Sequence, residues 1–268
     1  MSVPDWRLYP TWQSEPDRVD LETLPAWIVQ EDDAIIAVNK PPWLVCHPSK
    51  HGPTSSLVGA LRAYTGLETL HLIARLDRET SGLVLLAKQR PAARRLQMAL
   101  EKRAVKKHYL VLLEGELGGP ETIDLPLGPD RKSPVHIKQT WGSGHGFQNA
   151  LTHFVPLHAT NGFTLAEVRP ETGRKHQIRV HAQVLGYPVV GDKLYGPDET
   201  LYLDFIEHGW TERHAASLPL RRQGLHCHSL RFDLGEESLS FAAPLFFDLA
   251  GFCTERLPGA SAVVANYL

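Results

Sequence analysis

Apolar positions along the chain change period several times, and each change predicts an element. Leu83-Val84-Leu85-Leu86-Ala87 is an unbroken apolar run between Gly82 and Lys88, the pattern of a buried strand. Trp27-Ile28-Val29 and Ala34-Ile35-Ile36-Ala37-Val38 flank the acidic turn Glu31-Asp32-Asp33, as the two arms of a hairpin do. From Thr54 to Tyr64 the period becomes helical. Leu57, Ala60, Leu61 and Tyr64 share one face, and Thr54 or Ser55 is the expected N-cap. Pro91 suits the first turn of a second helix, with Ala92, Leu96, Ala99 and Leu100 inward and Arg94, Arg95, Lys102 and Arg103 outward. Residues 105–115 read as a strand ending at a turn. Residues 150–155 and 163–168 read as two more strands around Thr160-Asn161-Gly162. Ile178, Ala182 and Leu185 mark one face of a third helix that Gly186 and Pro188 end, and His176, Arg179 and Gln183 mark another face.

The remaining stretches predict less. Residues 1–25 form an extension rich in Pro, Trp and acids that wraps the domain or stays partly loose. Trp6, Trp12 and Trp27 are suited to stacking on bases, but packing against the domain is the commoner fate of such rings. Residues 116–150 hold many Gly, Pro and polar residues and predict a loop region or loose hairpin. Residues 198–222 predict a helix and a loop carrying Tyr202, Phe205 and Trp210. A strand follows over 225–232, and Ala243-Pro244-Leu245 opens the last packed segment.

Composition narrows the class. The chain has 268 residues, 43% of them hydrophobic, which is ample for a core. One main domain over 26–268 after the extension is the expected organisation. Asp5, Arg7 and several prolines interrupt the N-terminus, unlike a signal peptide, and no apolar run reaches the length of a membrane helix. Cys46, Cys227 and Cys253 are odd in number and widely spaced, so reduced thiols and a cytoplasmic location are expected. The net charge of −2 is unusual for a protein that binds nucleic acid, but it is unevenly spread. Residues 75–109 carry ten Lys and Arg against three acids, a local +7, whereas residues 1–36 carry two against eight, a local −6. A local positive field of this kind is what phosphate contacts need.

Candidate chemistry lies where that charge lies. Arg75-Leu76-Asp77-Arg78 places one carboxylate between two guanidiniums, just before Thr80-Ser81-Gly82 and the buried strand. Flanking arginines favour the ionised carboxylate, which suits a nucleophile or base charged at neutral pH. Taken alone, such a stretch is more often a loop ion pair than a site. His226-Cys227-His228 puts two imidazoles on one side of a strand, but partner ligands at usual metal spacings are missing.

Several of these stretches resemble, in order, the motifs of the RluA family of RNA pseudouridine synthases. His71 to Lys88 is similar to the family's H-R-L-D-R-x-T-S-G-L-L-L-[LF]-A-K, with Ala74 where the family has His. Asn39-Lys40-Pro41-Pro42-Trp43-Leu44-Val45-Cys46-His47-Pro48 resembles its first motif, with Trp43 for a small residue, and Lys107 and Tyr109 resemble its K-x-Y pattern. Thr172-Gly173-Arg174-Lys175-His176-Gln177-Ile178-Arg179-Val180-His181 resembles T-G-R-x-H-Q-I-R-x-H almost letter for letter. Leu185 to Asp192 resembles L-G-x-P-I-x-G-D, and residues 225–232 resemble L-H-A-x-x-L-x-F, with Cys227 for Ala.

The resemblance implies a mixed α/β (α+β) pseudouridine synthase fold, with a central, mostly antiparallel mixed sheet flanked by helices and loops. It implies isomerisation of a uridine in structured RNA. Asp77 would be the catalytic aspartate, Tyr109 would stack on the target base and Arg179 would pair with Asp77. Arg75 would take the flipped nucleotide's place in the stack, and Leu225 would pack beneath the tyrosine. Lys40, Lys107, Arg174 and His176 would be weaker contacts to the RNA backbone, with a structural role favoured for Lys40. No cofactor or metal is required, and the expected partner is ribosomal or transfer RNA, ribosomal slightly favoured. Neither a membrane nor a protein partner is expected, and a monomer is. Two other classes stay open on the residues alone. One is a non-catalytic RNA-binding protein that kept the fold, hinted at by Ala74. The other is a glycoside hydrolase, for which the motifs place no second acid.

Overall fold

The computed structural model describes residues 5–10, 18–47 and 52–268. Trp12, Pro48 and part of the expected N-terminal extension lie outside the described residues. In chain order the strands are β1 (Ile28–Glu31), β2 (Ile35–Lys40), β3 (His71–Leu72), β4 (Ser81–Ala87), β5 (Val105–Glu114), β6 (Glu121–Asp124), β7 (Leu127–Pro129), β8 (Gln139–Trp141), β9 (Leu151–Thr160), β10 (Phe163–Pro170), β11 (Leu225–Asp233) and β12 (Ser238–Ala242). The α-helices are α1 (Leu57–Thr65), α2 (Arg90–Glu101), α3 (Gln177–Leu185), α4 (Thr200–His208), α5 (Glu212–Ser217), α6 (Phe247–Arg256) and α7 (Ser261–Val264). Contacts divide the chain into two compact units, one of Gln13–Lys107 with His226–Phe246, the other of Met1–Trp12, His108–Leu225 and Phe247–Leu268.

In the first unit the strands run β1-β2-β4-β11, with β3 on β4 and β12 on β11. The ladders are antiparallel apart from β4–β11, which is parallel. The expected hairpin forms because Asp32 Oδ1 accepts the N–H groups of Ala34 (2.7 Å) and Ile35 (2.8 Å), which closes the turn. Every residue of β4 is buried, as an uninterrupted apolar strand requires. It packs with Ile36, Val38, Leu57, Ala60 and Leu61 into one cluster. Gly82 has φ +109° and pairs with Cys227 across the parallel ladder. A Cβ there would meet the Cys227 carbonyl oxygen at 2.3 Å, so only glycine allows this approach.

The helices of this unit shift from the sequence expectation by a residue. Ser56, not Thr54 or Ser55, caps α1 by accepting from Gly59 N at 3.2 Å. A short 3-10 turn (Pro53–Ser55) takes up the preceding residues, and Tyr64 is exposed. On α2 the buried face is Ala93, Leu96 and Ala99, with Ala93 in place of Ala92.

In the second unit the order is β5-β10-β9-β6, antiparallel throughout, with β7–β8 as a separate hairpin. Residues 116–150 are therefore more ordered than their composition suggests. Asn161 (φ +53°) and Gly162 (φ +75°) form the tight β9–β10 turn. Residues 198–222 hold two helices, α4 and α5, where one helix and a loop were expected. The Lys193 ammonium lies 4.5 Å from the Phe205 ring centre and 5.4 Å from that of Trp210, so the aromatics of this segment cover a buried cation. Trp6 packs edge-on against Phe252 and over Gly251, and Arg7 pairs with Glu255. This part of the extension is thus docked on α6. Trp27 packs against Trp43 in the first unit. All three cysteines are buried and form no disulfide among the described residues, and burial pushes the Cys253 thiol up to about 12. Among the described residues no helix is long and apolar enough to cross a membrane.

Candidate active site

The candidate residues fall into two sets, one in each unit. In the first unit Asp77 sits in the turn between β3 and β4, where Thr80 N donates to the Asp77 carbonyl (3.2 Å). Its side chain is half-buried, while Arg75 and Arg78 are exposed. The carbonyls on both sides of Asp77 are held by the segment that follows β2. Lys40 Nζ donates to Arg78 O (3.1 Å), and Cys46 Sγ donates to Leu76 O (3.5 Å). In return, Arg78 Nε donates to Trp43 O (2.9 Å). The first and second motifs therefore act as one piece.

Lys40 is fully buried, and its ammonium also donates to Pro41 O (2.7 Å) and Leu44 O (2.9 Å). A buried ammonium needs several acceptors to offset its lost hydration. These carbonyls give Lys40 a structural task inside the protein. Lys107 is half-buried, and burial holds its ammonium below the ordinary lysine range, with Cys227 opposing that shift.

His226 and His228 have structural partners. His226 Nε2 donates to Ala243 O (3.3 Å), so in the neutral ring Nδ1 accepts from the Ser81 hydroxyl (3.0 Å). His228 Nδ1 also donates to Ala243 O (2.8 Å). Ser81 thus ties the start of β4 to β11.

In the second unit the third motif forms the turn from β10 into α3. Gln177 organises it. Its Oε1 accepts from the Thr172 hydroxyl (2.7 Å) and Arg174 N (3.0 Å), and its Nε2 donates to Leu151 O and Thr152 Oγ1, both at 2.9 Å. Arg174 Nε reaches Asn149 O (3.1 Å). His176 precedes the helix in a left-handed conformation (φ +56°), so it does not share a helix face with Arg179 and Gln183. It is buried, with Nδ1 2.8 Å from Tyr195 Oη, which also accepts Gln139 N–H (2.8 Å).

Arg179 is held most firmly. Its Nε donates to Asp192 Oδ2 (2.6 Å) and its Nη2 to Asp192 Oδ1 (2.8 Å), while the guanidinium lies 4.9 Å from the centre of the Tyr195 ring. Asp192 Oδ1 also accepts from Leu194 N (2.9 Å) and Tyr195 N (3.0 Å). Burial works against the charged carboxylate, but the Arg179 charge and these hydrogen bonds outweigh it and hold Asp192 below the usual range. Burial, and then the Asp192 charge, push Glu114 the other way, upward. Sequence reasoning missed Asp192, Tyr195 and Gln177 as supports. The only signal was their place in or beside quoted motifs.

Tyr109 and Leu225 lie in one apolar cluster with Val168, Ile178 and Ala182. Arg222 fixes the backbone at Leu225, because Nη1 donates to Leu225 O (3.2 Å) while a fully buried fork grips Asp248 at 2.7 and 2.8 Å.

Against this geometry, a model of the RNA pseudouridylate synthase family matches residues 34–184, more than half of the chain. The chain belongs to that family. An uncharacterised RNA pseudouridine synthase of Bacillus subtilis is 35% identical over 236 residues, covering 85% of this chain and 76% of the relative. The ribosomal large subunit pseudouridine synthase D of Haemophilus influenzae is 32% identical over 239 residues, 85% of this chain and 70% of the relative. The solved structure of human RNA pseudouridylate synthase domain containing 1 superposes with a TM-score of 0.66 at 26% identity, covering 85% of this chain and 86% of that one. Human RNA pseudouridylate synthase domain containing 4 shares the fold, with a TM-score of 0.67 at 24% identity over 87% of this chain and 94% of that one. The mixed α/β fold and the enzyme class expected from the motifs both stand. The protein is an RNA pseudouridine synthase, an isomerase.

Proposed function

We propose that this pseudouridine synthase acts on a uridine of structured ribosomal RNA, and that Asp77 carries the reaction. The observation that supports Asp77 is its setting. The Leu76 and Arg78 carbonyls are clamped on either side of it, so the backbone is fixed while the carboxylate projects from the turn. The target nucleotide leaves its stack, and Arg75, exposed two residues earlier, fills the gap. Asp77 then acts at the ribose, as nucleophile at C1′ or as base. The N1–C1′ bond breaks, the uracil turns and a C5–C1′ bond forms. C5 loses a proton and N1 gains one, so atoms and electrons balance without cofactor or metal.

Tyr109 stacks on the base above Leu225 and relays the C5 proton. Arg179, oriented by Asp192, serves the reaction as a fixed positive charge. Arg174 and His176 contact the RNA backbone. Relatives named for the ribosomal large subunit support ribosomal RNA as the substrate. The test is to incubate ribosomal and transfer RNA separately, both from cells lacking this gene, and to map new pseudouridines. A new site in ribosomal RNA is expected. A new site in transfer RNA alone would overturn the ribosomal assignment.

A further inference from the structure

Helix α2 packs on β4 through a narrow stripe, Ala93, Leu96 and Ala99. Its outer surface is cationic. Arg90, Arg94, Arg95, Lys102, Arg103 and Lys106 are all exposed, and Glu101 is the only acid over residues 90–106. Arg95 pairs with Glu237 at 2.7 Å. Arg90, Arg94, Lys102, Arg103 and Lys106 form no ion pair with a described residue. Among the described residues this charge is therefore left unneutralised.

The end of the helix carries a second, independent observation. Ala104 N donates to Ala99 O (2.8 Å), and Arg103 N donates to Leu100 O (3.1 Å). These two bonds define a Schellman stop, in which the residue at the Arg103 position is left-handed and is usually glycine. Arg103 has φ +56°. Only two other non-glycine residues of the described chain share a positive φ. Asn161 is a residue type that tolerates it, and His176 lies in the third motif. An arginine with a long cationic side chain thus occupies a glycine position at a cost in stability. Backbone strain of this kind is retained where the side chain has a task.

Topology places that end of the helix. β4 leads away from the Asp77 turn for seven residues, about 20 Å of strand. α2 follows for twelve residues, about 18 Å, and Ala104, just after it, accepts from Asp233 N at the end of β11, which runs parallel to β4 with His226 beside Ser81. Both ends of α2, Arg90 at its start and Lys102 and Arg103 at its close, therefore lie at the end of the sheet away from the Asp77 turn, where a phosphate backbone flanking the target nucleotide would run.

We infer that the outer face of α2, with Arg103 at its centre of function, is a docking track for the phosphate backbone of the substrate RNA outside the target nucleotide. A row of unpaired guanidinium and ammonium groups is complementary to a polyphosphate. The face offers little apolar area besides Met98 to a protein partner. The track deepens the proposed function by setting how the RNA is held, and it rests on RNA being the substrate.

The test compares wild type, R103G and the triple variant R94Q/K102Q/K106Q, using a fluorescent stem-loop RNA across a salt series. R103G is expected to melt about 2 °C higher, because strain is relieved. It should nevertheless bind RNA more weakly, with a salt slope reduced by about 0.7–0.9. The triple variant should raise KM about tenfold or more and leave kcat within a factor of two. Unchanged affinity and slope in both variants would overturn the track. A lower melting point for R103G would overturn the strain argument on which Arg103 rests. The affinity and salt-slope readings need no turnover, so they stand or fall independently of the pseudouridine mapping that tests the proposed function.

Discussion

The turn that carries Asp77 and the turn that carries Arg179 are held in different ways. Around Asp77 the donors come from side chains, but they land on main-chain carbonyls, those of Leu76, Arg78 and Trp43. The clamp is spread over several weak or moderate bonds to the main chain. Around Arg179 the functional group is itself gripped, by a two-pronged carboxylate and an aromatic face. Fixing a backbone tolerates the loss of one bond. Fixing a buried guanidinium does not, because removal of its partner leaves a charge out of water.

That contrast is most open to test at Asp192. Asp192→Asn is expected to cost about 3–5 kcal/mol in urea unfolding, since it breaks a buried ion pair from one side. It should also lower kcat with little change in KM. A cost below about 1 kcal/mol would place Arg179 on the same footing as the Asp77 turn. The pH dependence sharpens the point. The folded pKa of Asp192 lies below its ordinary value of 3.8. Its contribution is therefore fully present above about pH 4 and is lost as pH falls through the depressed folded value. Asp192→Asn should remove that acid limb from the stability profile.

Lys40→Met comes next. It strands the Pro41, Leu44 and Arg78 carbonyls while removing a buried charge, and a loss of about 1–3 kcal/mol is expected. Because Arg78 O is released, kcat should fall further than unfolding of a fraction of the molecules explains, as a folded-fraction correction will read out. Tyr195→Phe should cost about 1 kcal/mol, because it removes Oη from Gln139 N and His176 but keeps the ring under Arg179. Cys46→Ala should be the mildest, within about 0.5 kcal/mol, since a thiol is a weak donor and two other bonds still hold the Asp77 turn.

The strands and the active-site motifs were legible because period and composition are local properties. The buried run of β4, the β1–β2 hairpin and α3 all follow from spacing within about ten residues. What was not legible depended on partners far along the chain. Ala93 replaces Ala92 on α2 because β4 decides which stripe is covered. His176 leaves the helix face because its ring meets Tyr195, 19 residues on. For Lys40 the sequence favours a structural role over a phosphate contact, but the acceptors that define that role lie at Pro41, Leu44 and Arg78 and show only in the fold. Residues 116–150 looked loose because their strands are short and their pairing with β9 is remote in sequence.

The central claim is that the fixed Asp77 carboxylate carries out the isomerisation. Its most direct measurement is tritium release from RNA labelled at uracil C5, with wild type and with Asp77→Asn checked for native fold by circular dichroism. The account predicts release by wild type and none above background by folded Asp77→Asn. Release at comparable rates by both proteins would contradict it.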